Sequence, residues 1–390
     1  MHSDPLVFTI FAIFSGAALV ATLALYARQA LPVAYIALGI LMGPSALGVV
    51  GDPVVIKKMS SIGIMFLLFL LGMSLPPQKL GQLVRETTVV TLVSSLAFAA
   101  LGAAAGWALG YTVVESVVIG AAMMFSSTII GLKLLPTTVL HHQRTGEIII
   151  SILLLQDLLA IIVLLLLQGL GGNGRLPLSD LGLLALSLTG LILFAYVFER
   201  FVLFKLIRRF DKIQEYIFLM AIGWCLGMAE LARAVGLSHE IGAFIAGVML
   251  ATSPISLFIA ESLKPLRDFF LVLFFFSLGA SFDLQLVLTV LAPAAGFAAA
   301  IMVVKPLVFR WLLQGSGESA QRSGEIGVRM GQISEFSLLI AVLALDLGVI
   351  SERATYLIEV ATLLTFIASS YFIVLRYPTP VAVSDRLRRD

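Results

Sequence analysis

Charge is scarce in this chain. Asp, Glu, Lys and Arg make up 12% of its 390 residues, about half the share of an ordinary soluble domain. With 60% hydrophobic residues and a mean hydropathy of +1.07, the chain reads as a polytopic membrane protein. Its net charge of +2 is spread through short loops, so no basic tract invites nucleic acid or an acidic protein surface. The single cysteine, Cys225, excludes an intramolecular disulfide and reads as a small buried filler. The sequence holds no metal-ligand cluster, nucleophile triad or phosphate-cradling loop, which argues against an enzyme or a resident cofactor. "GLGGNGRLP" (169–177) is glycine-rich but joins two apolar runs. "MHSDP" lacks Lys and Arg, and the long run after it reads as a first spanning helix, not a signal peptide.

At about 20 apolar residues per span, with Gly, Pro and charge clusters as boundaries, thirteen helices are expected: 5–27, 31–50, 60–76, 87–109, 113–135, 146–168, 179–204, 213–236, 239–254, 267–282, 285–313, 324–345 and 353–376. With the N-terminus outside, eighteen Lys and Arg fall on the inner side. Five fall outside: Lys57, Lys58, Arg175, Arg233 and Arg353. Lys305 and Arg329 remain within spans. That bias puts the C-terminus in the cytoplasm.

A repeat runs through the chain. "FLLGMSL" (69–75) returns as "FSLGASF" (276–282), "GILM" (39–42) as "GVML" (247–250), and "MFSSTIIG" (124–131) as "QISEFSLL" (332–339), all at offsets of 207 or 208. Seven helices separate the copies, so their topology is inverted. Inverted repeats of about 5–168 and 213–376, joined by a linker helix at 179–204, point to a secondary transporter with its site near the midplane. Ser126, Ser127, Thr128 and Gly131 in the fifth span, and Gly331, Gln332, Ser334 and Glu335 in the twelfth, suggest two broken helices. Such breaks are tolerated where they line a polar cavity. Serines and threonines bonded back to their own helix are the plainer reading.

The sixth span places Asp157 about 16 Å from either end, too deep to snorkel. An aspartate there is protonated, paired or facing an ion, the three states a proton-coupled cation carrier passes through. Gln156 either offers a cation its carbonyl oxygen or bonds another helix. By the repeat, Asp157 corresponds to Thr365, so one half alone carries the acid. Lys305 either snorkels toward the inner headgroups or points inward to pair with Asp157 when the cation has left, with Pro306 loosening its helix. Glu335 either compensates a half-helix N-terminus or borders the cation path. Arg329, six residues away, lies on a different face and is not its partner. "GILMGPSALG" (39–48) combines packing glycines with a Pro-induced bend. Ser238 reads as an N-cap with Glu240 in the first turn, His239 as a helix-start contact, and Glu230 takes no role.

These residues together resemble the monovalent cation:proton antiporters of the second type, above all their potassium-efflux (Kef-type) branch. The resemblance covers nearly the whole chain, through "GILMGPSALG", "IGIMFLLFLLGMSL", "SSTIIGLKLL", "LLLQDLLAI", "GAFIAGVMLA", "LFFFSLGASFD", Lys305 and "GQISEFSLLIA". It implies an all-α, sodium/proton-antiporter-like fold with crossing broken helices, a homodimer in the cell inner membrane, and elevator-like alternating access. Asp157 would bind potassium or a proton, with Gln156, Ser127 and Thr128 around it. Gln156 stands where sodium/proton members place Asp or Asn. The salt bridge that Lys305 makes in two-Asp members therefore cannot form here. One titratable carboxyl per protomer implies electroneutral exchange of potassium, or alternatively sodium, for protons. A gated potassium channel is a rival reading, but no "TVGYG"-like filter is present. An organic-anion carrier coupled to sodium would want a basic pocket, not a buried acid. Residues 377–390 form a short cytoplasmic tail where many potassium-efflux members continue into a nucleotide-binding regulatory domain.

Overall fold

The structure, a computed structural model, describes residues 5–50, 53–73, 77–133, 144–170, 178–210, 213–251 and 256–379. The described residues form helices and turns, with no strand. In chain order the helices are α1 (Pro5–Tyr26), α2 (Leu31–Met42), α3 (Pro53–Met73), α4 (Pro77–Ala108), α5 (Val113–Met123), α6 (Thr128–Lys133), α7 (Arg144–Leu170) and α8 (Leu178–Phe198). After a π-helical turn (Glu199–Leu203) come α9 (Phe204–Arg209), α10 (Gln214–Ala234), α11 (His239–Ala251), α12 (Ser256–Ala280), α13 (Leu284–Gly315), α14 (Ala320–Arg329), α15 (Glu335–Asp346) and α16 (Glu352–Arg376). Among the described residues, α1, α4, α7, α10, α13 and α16 are long and apolar enough to cross a membrane, and α2, α5, α11 and part of α3 are shorter apolar helices.

Several boundaries differ from expectation for identifiable reasons. The second span was drawn to 50, but α2 stops at Met42. Pro44 disfavours helical backbone at the residue before it, and here the helix ends where a bend was expected, with Gly48 turning at φ +63°. The seventh span continues past 204 through the π-helical turn into α9. The tenth starts earlier, at Ser256, and runs through Pro265. Ser238 accepts the Ile241 N–H at 3.4 Å, as an N-cap should, and His239 lies 3.4 Å from Glu230. The glycine-rich 171–177 and the tail from 380 onward lie outside the described residues.

The chain divides into two compact units. The first comprises Met1–Ala18, Tyr35–Leu80 and Arg175–Phe282. In it α3 packs against α11 and α12, and glycines set the approach. A Cβ on Gly247 would lie 2.0 Å from the Phe69 carbonyl, and one on Gly72 2.5 Å from that of Phe244. Gly39 and Gly279 do the same for α2 and α12, each 2.1 Å from a carbonyl of the other helix. Without water to drive apolar helices together inside a bilayer, close backbone approach of this kind supplies the packing energy.

The second unit comprises Leu19–Ala34, Gly81–Gly174 and Asp283–Asp390. Its apolar core joins Val90 and Phe98 of α4, Ile148, Ile149, Ile152 and Leu153 of α7, Phe309 and Leu313 of α13, and Ile326 with Met330 at the end of α14. At one edge Glu318, before α14, bonds Arg322 (2.6 Å) and Arg144 at the start of α7 (3.3 Å). Burial works to raise the Glu318 carboxyl, but the hydrogen bonds and charges of Arg322 and Arg144 outweigh it and hold it below the usual carboxylate range.

The glycine contacts are testable. Gly247→Ala is expected to lower stability by about 1–3 kcal/mol through overpacking, read as a lower melting temperature in detergent. Gly227→Ala has open space around it and should be neutral or mildly stabilising through helix propensity, by up to about 1 kcal/mol.

Candidate functional site

Two helices of the second unit break in mid-course. Between α5 and α6 the residues Met124 to Ser127 leave the helix, and between α14 and α15 the residues Met330 to Ser334 do so. Each break strands N–H and C=O groups away from water, where an unpaired group costs several kcal/mol. Side chains answer them one by one.

At the first break the Gln156 amide is a splint. Its Oε1 accepts the Ser126 N–H at 2.9 Å and its Nε2 donates to the Met124 carbonyl at 3.2 Å. The Ser337 hydroxyl donates to the Ala122 carbonyl at the end of α5. Ser127 caps α6, its hydroxyl accepting the Ile130 N–H at 3.2 Å. Gln332 Nε2 donates to the Ser127 carbonyl at 3.3 Å.

At the second break the Ser126 hydroxyl donates to the Met330 carbonyl at 2.8 Å. Thr365 Oγ1 accepts the Ile333 N–H at 3.1 Å, and Ser334 caps α15 through the Phe336 N–H at 3.1 Å. Gln332 Oε1 accepts from Ser369 at 3.0 Å.

Lys305 joins the breaks. Its ammonium donates to the Phe125 carbonyl at 2.5 Å and the Gln332 carbonyl at 3.1 Å, with the Phe98 ring 5.1 Å away. α5 and α14 both end beside it, so a positive charge meets the negative ends of two helix dipoles. Its side chain is 0% exposed, which overturns the snorkelling reading. Pairing with Asp157 is not what it does here either: two carbonyls take its protons. Pro306 leaves α13 continuous and lies against Gly327 and Gly331, whose Cβ positions would come within 2.6 and 3.0 Å of it.

Asp157 is the middle residue of α7, about 20 Å from either end, and 1% exposed. Thr128, the first residue of α6, donates to its Oδ1 at 3.4 Å. Its Oδ2 is buried without a hydrogen bond from any described residue. Glu335, 4% exposed at the first turn of α15, is close enough to act on it electrostatically.

The structure thus gathers every expected site residue in one unit. Thr128 touches Asp157. Gln156 holds the first break and Ser127 caps α6, which gives stranded backbone its partners. Gly131 meets only ordinary contact at 3.5 Å, so no close approach demands a glycine there. Arg329 pairs with Glu325 at 2.9 Å and donates to the Pro378 carbonyl at 2.9 Å, apart from Glu335 as expected. Thr365, Ser369 and Ser337 were missed as partners of the breaks. Their signal, polar residues recurring on one face of the last two spans, was there to be read.

The sequence profile of the transmembrane sodium/hydrogen exchangers matches residues 11–376. The chain is 27% identical over 351 residues to the iron transporter MagA of Paramagnetospirillum magneticum, covering 89% of this chain and 80% of that protein. It is 27% identical over 350 residues to K(+) efflux antiporter 6 of Arabidopsis thaliana, covering 88% and 58%. It is 28% identical over 355 residues to the putative K(+) efflux antiporter KefB of Alkalimonas amylolytica, covering 90% and 54%. The chain thus spans little more than half the length of these two potassium-efflux relatives. Its fold is similar to that of the sodium proton antiporter MjNhaP1 from Methanocaldococcus jannaschii, with a TM-score of 0.71 at 17% identity, covering 94% of this chain and 96% of that one.

Replacing Lys305 by Met strands the Phe125 and Gln332 carbonyls, each worth about 1–3 kcal/mol when left unpaired. The variant's melting temperature in detergent is expected to fall well below that of Asp157→Asn, in which no backbone group loses its partner. Equal melting of Lys305→Met and wild type would mean that the breaks do not depend on the ammonium.

Proposed function

Because the chain belongs to the sodium/hydrogen exchanger family, we propose that it is a membrane antiporter that moves potassium against protons, the two competing for Asp157. The observation that carries this is a buried carboxyl at the centre of α7 with one oxygen held only by Thr128 and the other held by no described residue. A proton neutralises such a group, and a monovalent cation does so equally well. The bare carboxylate is the costly state, by several kcal/mol. The unit therefore exposes Asp157 to the opposite side only when it is loaded, which makes the exchange obligatory. The positive ends of α6 and α15 lower the cost of the carboxylate while one ligand leaves and the other arrives. Asp157 contributes one proton per cation, the electroneutral exchange expected from the sequence. Any further proton requires another titrating group.

The inverted repeat gains support from both units. Gly39 and Gly247, 208 apart, each press on a helix of the other repeat, as do Gly72 and Gly279, 207 apart. Phe125 and Gln332, 207 apart, both give their carbonyls to Lys305, and Ser126 and Ile333, also 207 apart, each donate an N–H to a side chain of the following span. This supports the reading of thirteen spans built as two inverted copies. Because the whole site lies in one compact unit, its ligand groups can travel together, as an elevator motion requires. The homodimer and a location in the cell inner membrane, N-terminus outside, belong to the same reading. So does a regulatory role for further sequence of the kind that lengthens the potassium-efflux relatives.

Potassium is favoured by those relatives and by Gln156 beside Asp157. Sodium on the same fold is the second reading, favoured by the likeness to a sodium proton antiporter. An iron cargo, which the name of the MagA relative raises, has less support: among the described residues no group of three or more His, Cys, Asp or Glu could hold a metal ion.

In proteoliposomes with an imposed pH gradient, proton flux is expected to require a monovalent cation, to be faster with potassium than with sodium, and to fall to background in Asp157→Asn. Flux that survives Asp157→Asn would sink this mechanism. Thr128→Val, which removes the one hydroxyl on Asp157 but keeps the shape, should weaken apparent cation affinity several-fold, on the order of one hydrogen bond to a charged group.

A further inference from the structure

Exchange at Asp157 leaves buried acids outside the mechanism, Glu359 among them. Glu359 of α16 is 5% exposed, about 12 Å along the axis from the Ser351 cap. No described residue gives it a hydrogen bond or an ion pair. It sits in a pattern. Thr355, Glu359, Thr362, Thr365 and Ser369 are all buried and fall within roughly 120° of arc at 100° per residue. Three of the hydroxyls turn back on their own helix: Thr355 to the Ser351 carbonyl, Thr362 to that of Ile358 and Thr365 to that of Thr362. The far end of the face is in the candidate site, where Thr365 and Ser369 hold Ile333 and Gln332 of the second break. Thr365 is about 9 Å from Glu359 along the helix.

A buried acid that serves only as glue would donate its proton to an acceptor, and Glu359 has none among the described residues. A permanently charged one would need a cationic partner. On α13, Lys305 is taken by two carbonyls, and no ion pair joins Arg310 to Glu359. On α14, Arg329 is held by Glu325 and Pro378, and Arg322 by Glu318. Arg353, at the start of α16, lies over the Tyr111 ring. Among the acids, Glu115 of α5 is bound to Thr112 and Ser351, while Glu335 and Asp346 belong to α15. The titratable neighbour that feels Glu359 is Tyr356, one turn earlier, which Asp283 and Glu352 also influence.

We propose that Glu359 is a second proton-binding group of the exchanger, which takes up and gives up a proton in each cycle. The proposal rests on exchange at Asp157. Two protons then travel against one cation, and each turnover carries one net positive charge in the direction of the protons.

The test uses the full chain in proteoliposomes. The coupling ratio is read by balancing opposed potassium and pH gradients to zero flux, and charge movement by a voltage-sensitive dye. Wild type is expected to balance at roughly two protons per cation and to build a membrane potential, as follows when a second intramembrane acid takes part. Glu359→Gln should keep transporting, at one proton per cation and without a potential. A one-to-one, silent wild type overturns the proposal whether or not the variant folds. Failure of the Asp157 reading is a different result, flux that persists in Asp157→Asn. Should wild type show no exchange, pH-difference infrared spectra of the purified protein decide. A protonated-carboxyl band that titrates in wild type and in Asp157→Asn but is missing from Glu359→Gln supports the proposal. The proposal is overturned if the band that titrates in Asp157→Asn persists in Glu359→Gln, or if Asp157→Asn shows no titrating band.

Discussion

A hydrocarbon interior leaves stranded backbone nothing to bond with, and the second unit is organised around that constraint. Two helices stop in mid-course, each exposing carbonyls at one end and N–H groups at the other. The Lys305 ammonium takes one carbonyl from each break. Gln156, Gln332, Ser126, Ser337 and Thr365 take most of what remains. The cluster is costly to assemble and costly to disturb, since removing any member leaves a buried group unpaired. It also fixes where the free ends of α6 and α15 point, and so where an acid can be tolerated.

Asp157 is the exception that this order permits. Around it, most polar groups are bonded to one another; its own second oxygen has no hydrogen bond from any described residue. A fully satisfied carboxyl would be a structural tie with no reason to bind or release anything. Under the exchange proposed above, incomplete satisfaction gives proton and cation comparable claims on the same group, while the rigid surroundings keep the geometry constant as they trade places. Stability and the proposed exchange are thus divided between neighbours: residue 156 splints the backbone, and residue 157 is left for the ligand in that proposal.

Much of this was legible in the sequence. Long apolar runs located the helices, and the repeat singled out four of the glycines that set close helix contacts as well as the residues flanking both breaks. The depth of Asp157 followed from counting along one span. What could not be read was the assignment of partners. Nothing in "LLLQDLLAI" says that the amide bonds Met124 and Ser126, since hydrogen bonds between residues thirty apart depend on how two helices are set against each other. Lys305 stayed open between two readings for a related reason. Its nearness to Arg310 in sequence suggested the membrane surface, whereas its carbonyl partners come from residues 180 and 27 positions away. The end of α2 was misplaced because Pro44 was read as a bend rather than a stop.

The splint at Gln156 has an evolutionary consequence. An amide can answer an N–H and a carbonyl at once, and a carboxylate cannot. Aspartate at this position could still accept from Ser126, but it would turn a negative oxygen toward the Met124 carbonyl. The charge best placed to relieve it is Lys305, which would have to loosen its hold on the adjoining Phe125 carbonyl. The step from a Gln-Asp to an Asp-Asp pair is therefore a rearrangement of three linked groups and not a single exchange of side chains.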